Sequence, residues 1–169
     1  MVQEEDRERY AAMNADPVVM EFFPRTYSRE ECDGSFNRIL KHWSEHGFGL
    51  WAVEAQDHFA GILGLWHVRF AASFTPAVEI GYRLMPSFWK LGVATEAGGA
   101  ALRYGFEQLD LAEVVAYTVP ANLRSRRVME KLGMQYSEDF EHPELEQGHP
   151  MRRCLLYRLP HAKWAETNG

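Results

Sequence analysis

The sequence predicts an α/β (α+β) fold in which one mixed central β-sheet is flanked by about four helices. Three observations predict it. Apolar residues recur at helical spacing in two long segments, residues 29–46 and 93–109. Short segments of strand character separate and follow them, giving the order ααβββαβαββ. The chain of 169 residues is 46% apolar and 13% aromatic, enough for one core and too short for two, so residues 1–169 read as a single domain. No Pro/Gly/Ser-rich linker, internal repeat or low-complexity stretch divides it.

The elements follow in order. Residues 4–15 are charged, with Tyr10 and Met13 at helical spacing, and Asp16-Pro17 stops the helix because a residue before proline is biased out of it. In residues 29–46, Phe36, Ile39, Leu40 and Trp43 lie three or four apart, and Gly47 follows as a stop. Residues 50–55 and 59–68 read as a β-hairpin turning at Gln56-Asp57-His58. Residues 77–85 alternate, with Val78, Ile80, Tyr82 and Leu84 on one face and Glu79, Gly81 and Arg83 on the other, until Pro86. Beyond the helix at 93–109 come a strand at 113–119 and a helix at 122–132 closed by Gly133. Strands at 134–139 and 152–159 end the pattern.

Charge and composition exclude several classes. A net charge of −6 does not suit a surface built to neutralise phosphates, so no nucleic-acid partner is expected. The same charge would suit a cationic substrate, although mild acidity is also ordinary. No apolar run approaches a membrane span, and the charged start, residues 1–8, lacks the apolar centre of a secretory signal, so a cytoplasmic protein without a membrane partner is expected. Cys32 and Cys154 stand far apart without metal-type spacing; Cys154, in an apolar stretch, reads as a buried small hydrophobe. Residues 138–149 carry five acids and two histidines but no tight ligand spacing, so a solvated loop and no metal are expected. A strand-end histidine, His67, could reach a substrate or be structural. Trp43, Trp51 and Trp66 read as core or pocket wall.

Ser87-Phe88-Trp89-Lys90-Leu91-Gly92-Val93-Ala94-Thr95-Glu96-Ala97 lies between a strand and the start of a helix. Small residues there let a ligand approach the backbone. The first helical amides have no partner within the helix and sit at the positive end of its dipole, which suits a pyrophosphate. A plain loop with a glycine is the other reading. No Gly-Lys-Ser/Thr of an ATP-binding loop occurs. Gly47-Phe48-Gly49-Leu50-Trp51-Ala52 matches a dinucleotide fingerprint only superficially, because it precedes a strand.

Three motifs in order carry a resemblance. They are Glu79-Ile80-Gly81-Tyr82-Arg83-Leu84, then Phe88 through Ala97, then Asn122-Leu123-Arg124-Ser125-Arg126-Arg127-Val128-Met129-Glu130-Lys131-Leu132-Gly133-Met134. Together they resemble the GNAT superfamily of N-acetyltransferases, and within it the RimJ/RimL branch that acetylates ribosomal-protein N-termini. The resemblance spans residues 4–159. It implies acetyl-CoA as cosubstrate, with a pyrophosphate held by the backbone of Trp89, Lys90, Leu91, Gly92, Val93, Ala94 and Thr95. It also implies a pantetheine arm paired with the backbone of Ile80, Tyr82 and Leu84 and hydrogen-bonded by Asn122. Trp89 stands where the wider superfamily often has Gln or Arg, as is common in this branch. Relatives usually begin with a strand that here is missing or short. The start of the chain could lie upstream, or a partner chain could cover the edge, so a homodimer is possible.

The implied reaction is direct attack of a primary amine, on a protein N-terminus or a small molecule, on the thioester in a ternary complex. A neutral nucleophile costs an α-amine roughly 1.4 kcal/mol at pH 7 and a lysine roughly 4.6 kcal/mol. Glu79, beside the expected thioester, is the candidate general base, directly or through water; the other reading pairs it with Arg83, four residues along on the same strand face. Ser125 is the candidate proton donor to the thiolate, or else a serine capping its own helix. Asn122 is also a natural N-cap. A strand amide near Tyr82 would meet the oxyanion. A non-catalytic acyl-CoA-binding or regulatory module is the competing class, and it would need neither Glu79 nor Ser125.

Overall fold

The computed structural model describes residues 1–168. Among them are five α-helices and six strands: α1 (Arg7–Ala15), α2 (Arg29–His46), β1 (Leu50–Ala55), β2 (His58–His67), β3 (Val78–Leu84), α3 (Val93–Glu107), β4 (Glu113–Thr118), α4 (Leu123–Lys131), β5 (Gln135–Glu141), β6 (Arg153–Pro160) and α5 (His161–Asn168). The strands form one sheet in the order β1-β2-β3-β4-β6-β5. β3 and β4 run parallel, and the pairs β1/β2, β4/β6 and β5/β6 run antiparallel, so the sheet is mixed as the sequence predicts. The chain divides into two compact units, Met1–Trp66 with Gly81–Ala97, and His67–Ile80 with the chain from Gly98 onward. No helix among the described residues is long and apolar enough to cross a membrane.

In the first unit, α2 begins with a capping box. The Ser28 hydroxyl accepts from the Glu31 amide at 3.2 Å, and the Glu31 carboxylate accepts from the Ser28 amide at 2.8 Å. Gly47, at φ +72°, ends the helix in the left-handed conformation that a side chain would oppose. The buried face of α2, Cys32, Phe36 and Ile39, packs with Tyr10 and Met13 of α1 and with Val2, Val19 and Ile62. Fully burying a side chain such as Phe36 contributes about 1.5–3 kcal/mol. The β1–β2 turn is two residues, Gln56 and Asp57, both with positive φ (53° and 61°), as a hairpin matched to strand twist requires.

The segment before α1 forms no strand. The Val2 amide donates to the Leu50 carbonyl over 3.4 Å, and the Val2 side chain is fully buried in the α1/α2 core. The helix expected from residue 4 opens as a turn of 3-10 helix, Glu4–Asp6, because the Asp6 carboxylate turns back to accept from the Gln3 amide at 2.9 Å.

In the second unit, Val114, Val115 and Ala116 of β4 are fully buried, as is Leu156 of β6. Cβ directions alternate along strands, so two faces emerge from the register. Glu79 pairs with Val115, and Tyr117 with Leu156, so Glu79, Val115, Tyr117 and Leu156 share one face. On the other face Tyr157 takes a 3.3 Å hydrogen bond from Arg126 of α4. A fifth helix, α5, joins the four of the predicted order. α5 follows Pro160 directly, and one large apolar side chain, Trp164, holds it; its ring lies 5.1 Å from Phe106, on which His161 stacks at 5.2 Å. A single anchor over eight residues leaves no period to read.

Candidate active site

The second unit holds a buried acid. Glu79 and Tyr117 point to the same side of adjacent parallel strands, and the Tyr117 hydroxyl donates to the Glu79 carboxylate. The residue keeps some accessible surface, yet its carboxyl group is enclosed by protein. That desolvation pushes its pKa from 4.5 up to about 7, with the Tyr117 bond pulling partly back. Tyr117 in turn sits far above the usual phenol range, through burial first and then the negative charge of Glu79. A carboxyl group titrating near neutrality can both take and return a proton at working pH. Arg83 lies in the first unit, with its guanidinium stacked 4.0 Å over the ring of Phe23 and 5.8 Å from that of Tyr27.

Residue Tyr117 has no counterpart in the sequence reading. Alternation marks it as a strand residue, but only the parallel pairing of β3 with β4, formed across a helix and two loops, shows that it faces Glu79.

The next strand residue ties in the second candidate. Thr118 Oγ1 accepts from Asn122 Nδ2 at 3.1 Å, and Asn122 Oδ1 accepts from the Ser125 amide at 3.1 Å. Asn122 is therefore the N-cap of α4, as one of its two readings has it. Its amide retains one further N–H and one further lone pair for another partner. Ser125 sits half-buried in the first turn of α4, three residues on from the cap. Asn122 and Ser125 are thus brought together by the cap, and Glu79 joins Tyr117.

In the first unit, Ile80's neighbour Gly81 leads along β3 to Leu84, whose carbonyl accepts from the Trp89 indole at 2.9 Å. The indole thus anchors the start of the loop to the strand before it. Lys90 (φ 64°) and Gly92 (φ 87°) both adopt left-handed backbone, turning the chain sharply into α3. The helix then closes with Thr95 and Glu96 amides donating to the Gly92 carbonyl at 2.9 and 3.0 Å. The amides of Val93 and Ala94 precede those bonds, at the positive end of the dipole. A Cβ placed on Gly92 would meet no atom within 4 Å, so the approach to the loop is open. Lys90, Leu91 and Gly92 are exposed. These features fit a phosphate-bearing ligand.

Other candidates are placed as follows. His67 ends β2 and lines a cavity of about 300 Å³ with Pro76, Ala77, Val78, Ala112 and Glu113. Cys154 is buried in β6, and burial pushes its thiol up to about 11, in keeping with a packing role. The acidic segment is more ordered than a solvated loop. β5 runs on to Glu141, and Asp139 and Glu141 pair with Arg153 at 2.7 Å and Arg152 at 2.8 Å. In the first unit the Trp43 indole donates to Leu50 at 2.7 Å, its ring meets Trp51 edge-on, and Trp66 stacks on His42, so these tryptophans are packing residues.

Comparison with known proteins matches residues 1–135 to the acetyltransferase (GNAT) domain family. A FsC-acetyl coenzyme A-N(2)-transacetylase of Aspergillus fumigatus is 35% identical over 143 residues, 80% of this chain and 61% of that protein. The chain thus spans less than two thirds of that relative's length. The uncharacterized N-acetyltransferase YnaD of Bacillus subtilis is 42% identical over 122 residues, 72% of this chain and 68% of its own. Among solved structures, the spermidine N-acetyltransferase of Vibrio cholerae in complex with CoA and spermine superposes with a TM-score of 0.77 at 18% identity, covering 97% of this chain and 95% of that one, which speaks to the fold.

Proposed function

The chain belongs to the GNAT family of acetyl-CoA-dependent N-acetyltransferases, and we propose that residues 1–169 act as one domain that acetylates the primary amine of a small molecule by direct attack in a ternary complex. The observation that carries this reading is the buried Glu79 carboxyl, poised near 7 with the Tyr117 hydroxyl on it. An amine arrives as an ammonium, and Glu79 takes one proton from it. The nitrogen lone pair then attacks the thioester carbonyl carbon, and a strand amide near Tyr82 steadies the oxyanion. As the new C–N bond holds, the C–S bond breaks and its electron pair leaves on sulfur. The second amine proton ends on that sulfur, relayed or oriented by Ser125. The proton held by Glu79 returns to solvent, which balances one ammonium and one thioester against one amide, one thiol and one proton.

In this reading acetyl-CoA is a substrate. The backbone from Trp89 to Thr95 takes its pyrophosphate, the backbone of Ile80, Tyr82 and Leu84 pairs with the pantetheine arm, and Asn122 adds its remaining N–H. The three-motif likeness to the RimJ/RimL branch supports this assignment of parts. A small-molecule acceptor is favoured by the Aspergillus relative, named for an N(2)-transacetylase activity.

Thermal melts with acetyl-CoA, and with NAD and ATP as controls, test the substrate assignment. A ligand that binds only the folded state at a hundredfold excess over its Kd stabilises it by about 2.7 kcal/mol. The expected result is a rise specific to acetyl-CoA, followed by amine-dependent release of free thiol. No rise at millimolar acetyl-CoA in a cooperatively melting sample overturns the reading.

A further inference from the structure

Tyr117 is one member of an aromatic group confined to the second unit. Phe70 stands at its centre, with ring centroids 4.4 Å from His142, 5.6 Å from Tyr117, and 6.1 Å from both Phe74 and Phe140. Phe140 closes the set at 5.0 Å from Phe74 and 5.6 Å from Tyr117. Three separate stretches of chain supply it: the loop after β2, the end of β4, and the end of β5 with the turn that follows. Phe74 is buried against Val115 and Leu156, whereas Phe70, Tyr117, Phe140 and His142 each keep part of their surface exposed.

The loop that presents Phe70 and Phe74 is held in shape. Its ends are tied by the Val68 amide to the Ala77 carbonyl at 3.0 Å. Inside it, the Thr75 hydroxyl accepts from the Ala72 amide at 2.9 Å and donates to the Ala72 carbonyl at 3.0 Å. A rigid aromatic surface that is only partly covered is unusual for a core and common where a ligand's apolar body is seated. This surface also has a direction. The Tyr117 ring belongs to it, and the Tyr117 hydroxyl is bonded to Glu79, so the wall runs up to the carboxyl group that would receive the acceptor's proton. Negative charge flanks it, from Glu79 at one end and from Glu144, whose field reaches both Tyr117 and His142.

We infer that the wall formed by Phe70, Tyr117, Phe140 and His142 seats the apolar body of the acceptor, and that the acceptor class is an arylalkylamine. Its ring lies on the aromatic wall in tilted or offset contact, and its ammonium is drawn to Glu79. A polyamine, an amino sugar or a polar peptide N-terminus presents no flat apolar body and would leave the wall wet. This inference rests on the amine-acetylation reading above.

The test is a steady-state thiol-release assay with acetyl-CoA and four acceptors: 2-phenylethylamine, ethanolamine, spermidine and a polar peptide with a free N-terminus. The expected kcat/KM for 2-phenylethylamine exceeds that for ethanolamine by about tenfold or more, the worth of a seated apolar group. In Phe70→Ala and Phe140→Ala that ratio falls toward one, chiefly through KM, and in the packing-conserving Phe70→Leu it falls part of the way. Using the ratio removes any general loss from impaired folding. A wild-type ratio near one, a preference for spermidine or the peptide, or variants that leave the ratio intact overturns the wall assignment while amine acetylation stands. Turnover of none of the four, with acetyl-CoA still raising the melting temperature, overturns the acetylation reading beneath it.

Discussion

Replacing Glu79 by Gln should make the protein more stable above neutral pH while removing its activity. Burial raises the Glu79 carboxyl from 4.5 to about 7, so the folded state keeps a proton that the unfolded chain releases near 4.5. Between those values the folded state binds more protons, and stability therefore falls as pH rises. The slope is about 1.4 kcal/mol per pH unit, so the loss across the window is about 3 kcal/mol and is complete just above pH 7. Glutamine carries no charge and can still accept from Tyr117. Glu79→Gln should match the wild type below about pH 4.5 and exceed it by up to about 3 kcal/mol at pH 8.5. For a chain of this size that is roughly 6 to 12 °C in melting temperature. Scanning calorimetry of both proteins across the range measures it directly. In parallel, the wild-type kcat/KM should rise with pH to a plateau above about 7, and the variant should lose about 10²–10⁴-fold. A melting-temperature difference that is flat with pH, or a variant less stable at pH 8.5, would show that the carboxyl is not desolvated and would remove the basis for its role as base.

Three further outcomes follow from the same geometry. Tyr117→Phe deletes the bond that holds the Glu79 pKa down, so the pH–rate profile should move to higher pH; an unmoved profile separates Tyr117 from the base. Asn122→Ala should cost about 1 kcal/mol through loss of the α4 cap, whereas Asn122→Asp keeps the cap acceptor. Calorimetric titration should nonetheless show weaker acetyl-CoA binding in both, because both lose the amide N–H. Finally, Gln56→Asn with Asp57→Gly places residues suited to positive φ in the β1–β2 turn and should add about 1–2 kcal/mol in urea unfolding, with activity unchanged.

The parts of the fold legible in the sequence are those set by local physics. α2 and β1 fall at the predicted residues because a capping box, a left-handed glycine and a two-residue turn fix their ends within a few positions of chain. β5 ends two residues later than predicted, because Asp139 and Glu141 are carried in the strand by arginine partners on or beside β6. α5 has no local signature because its stability lies in Trp164 meeting Phe106, a contact 58 positions apart in the chain. The site divides the same way. Gly92, Asn122 and Glu79 stand out through their place in motifs, and each motif lies within one turn or strand. Tyr117 and the Phe70 cluster are assembled by the pairing of β4 with β3 and by residues from three separate stretches, and no local pattern encodes that.

The central claim is that acetyl passes straight from the thioester to an amine. Intact-mass analysis of protein and acceptor after incubation with acetyl-CoA and 2-phenylethylamine tests it most directly. Direct transfer predicts one acetyl group gained by the amine for each free thiol released, no thiol release without amine, and a protein of unchanged mass. Thiol released without acetylated amine, or a protein that gains an acetyl group in the absence of acceptor, would contradict it.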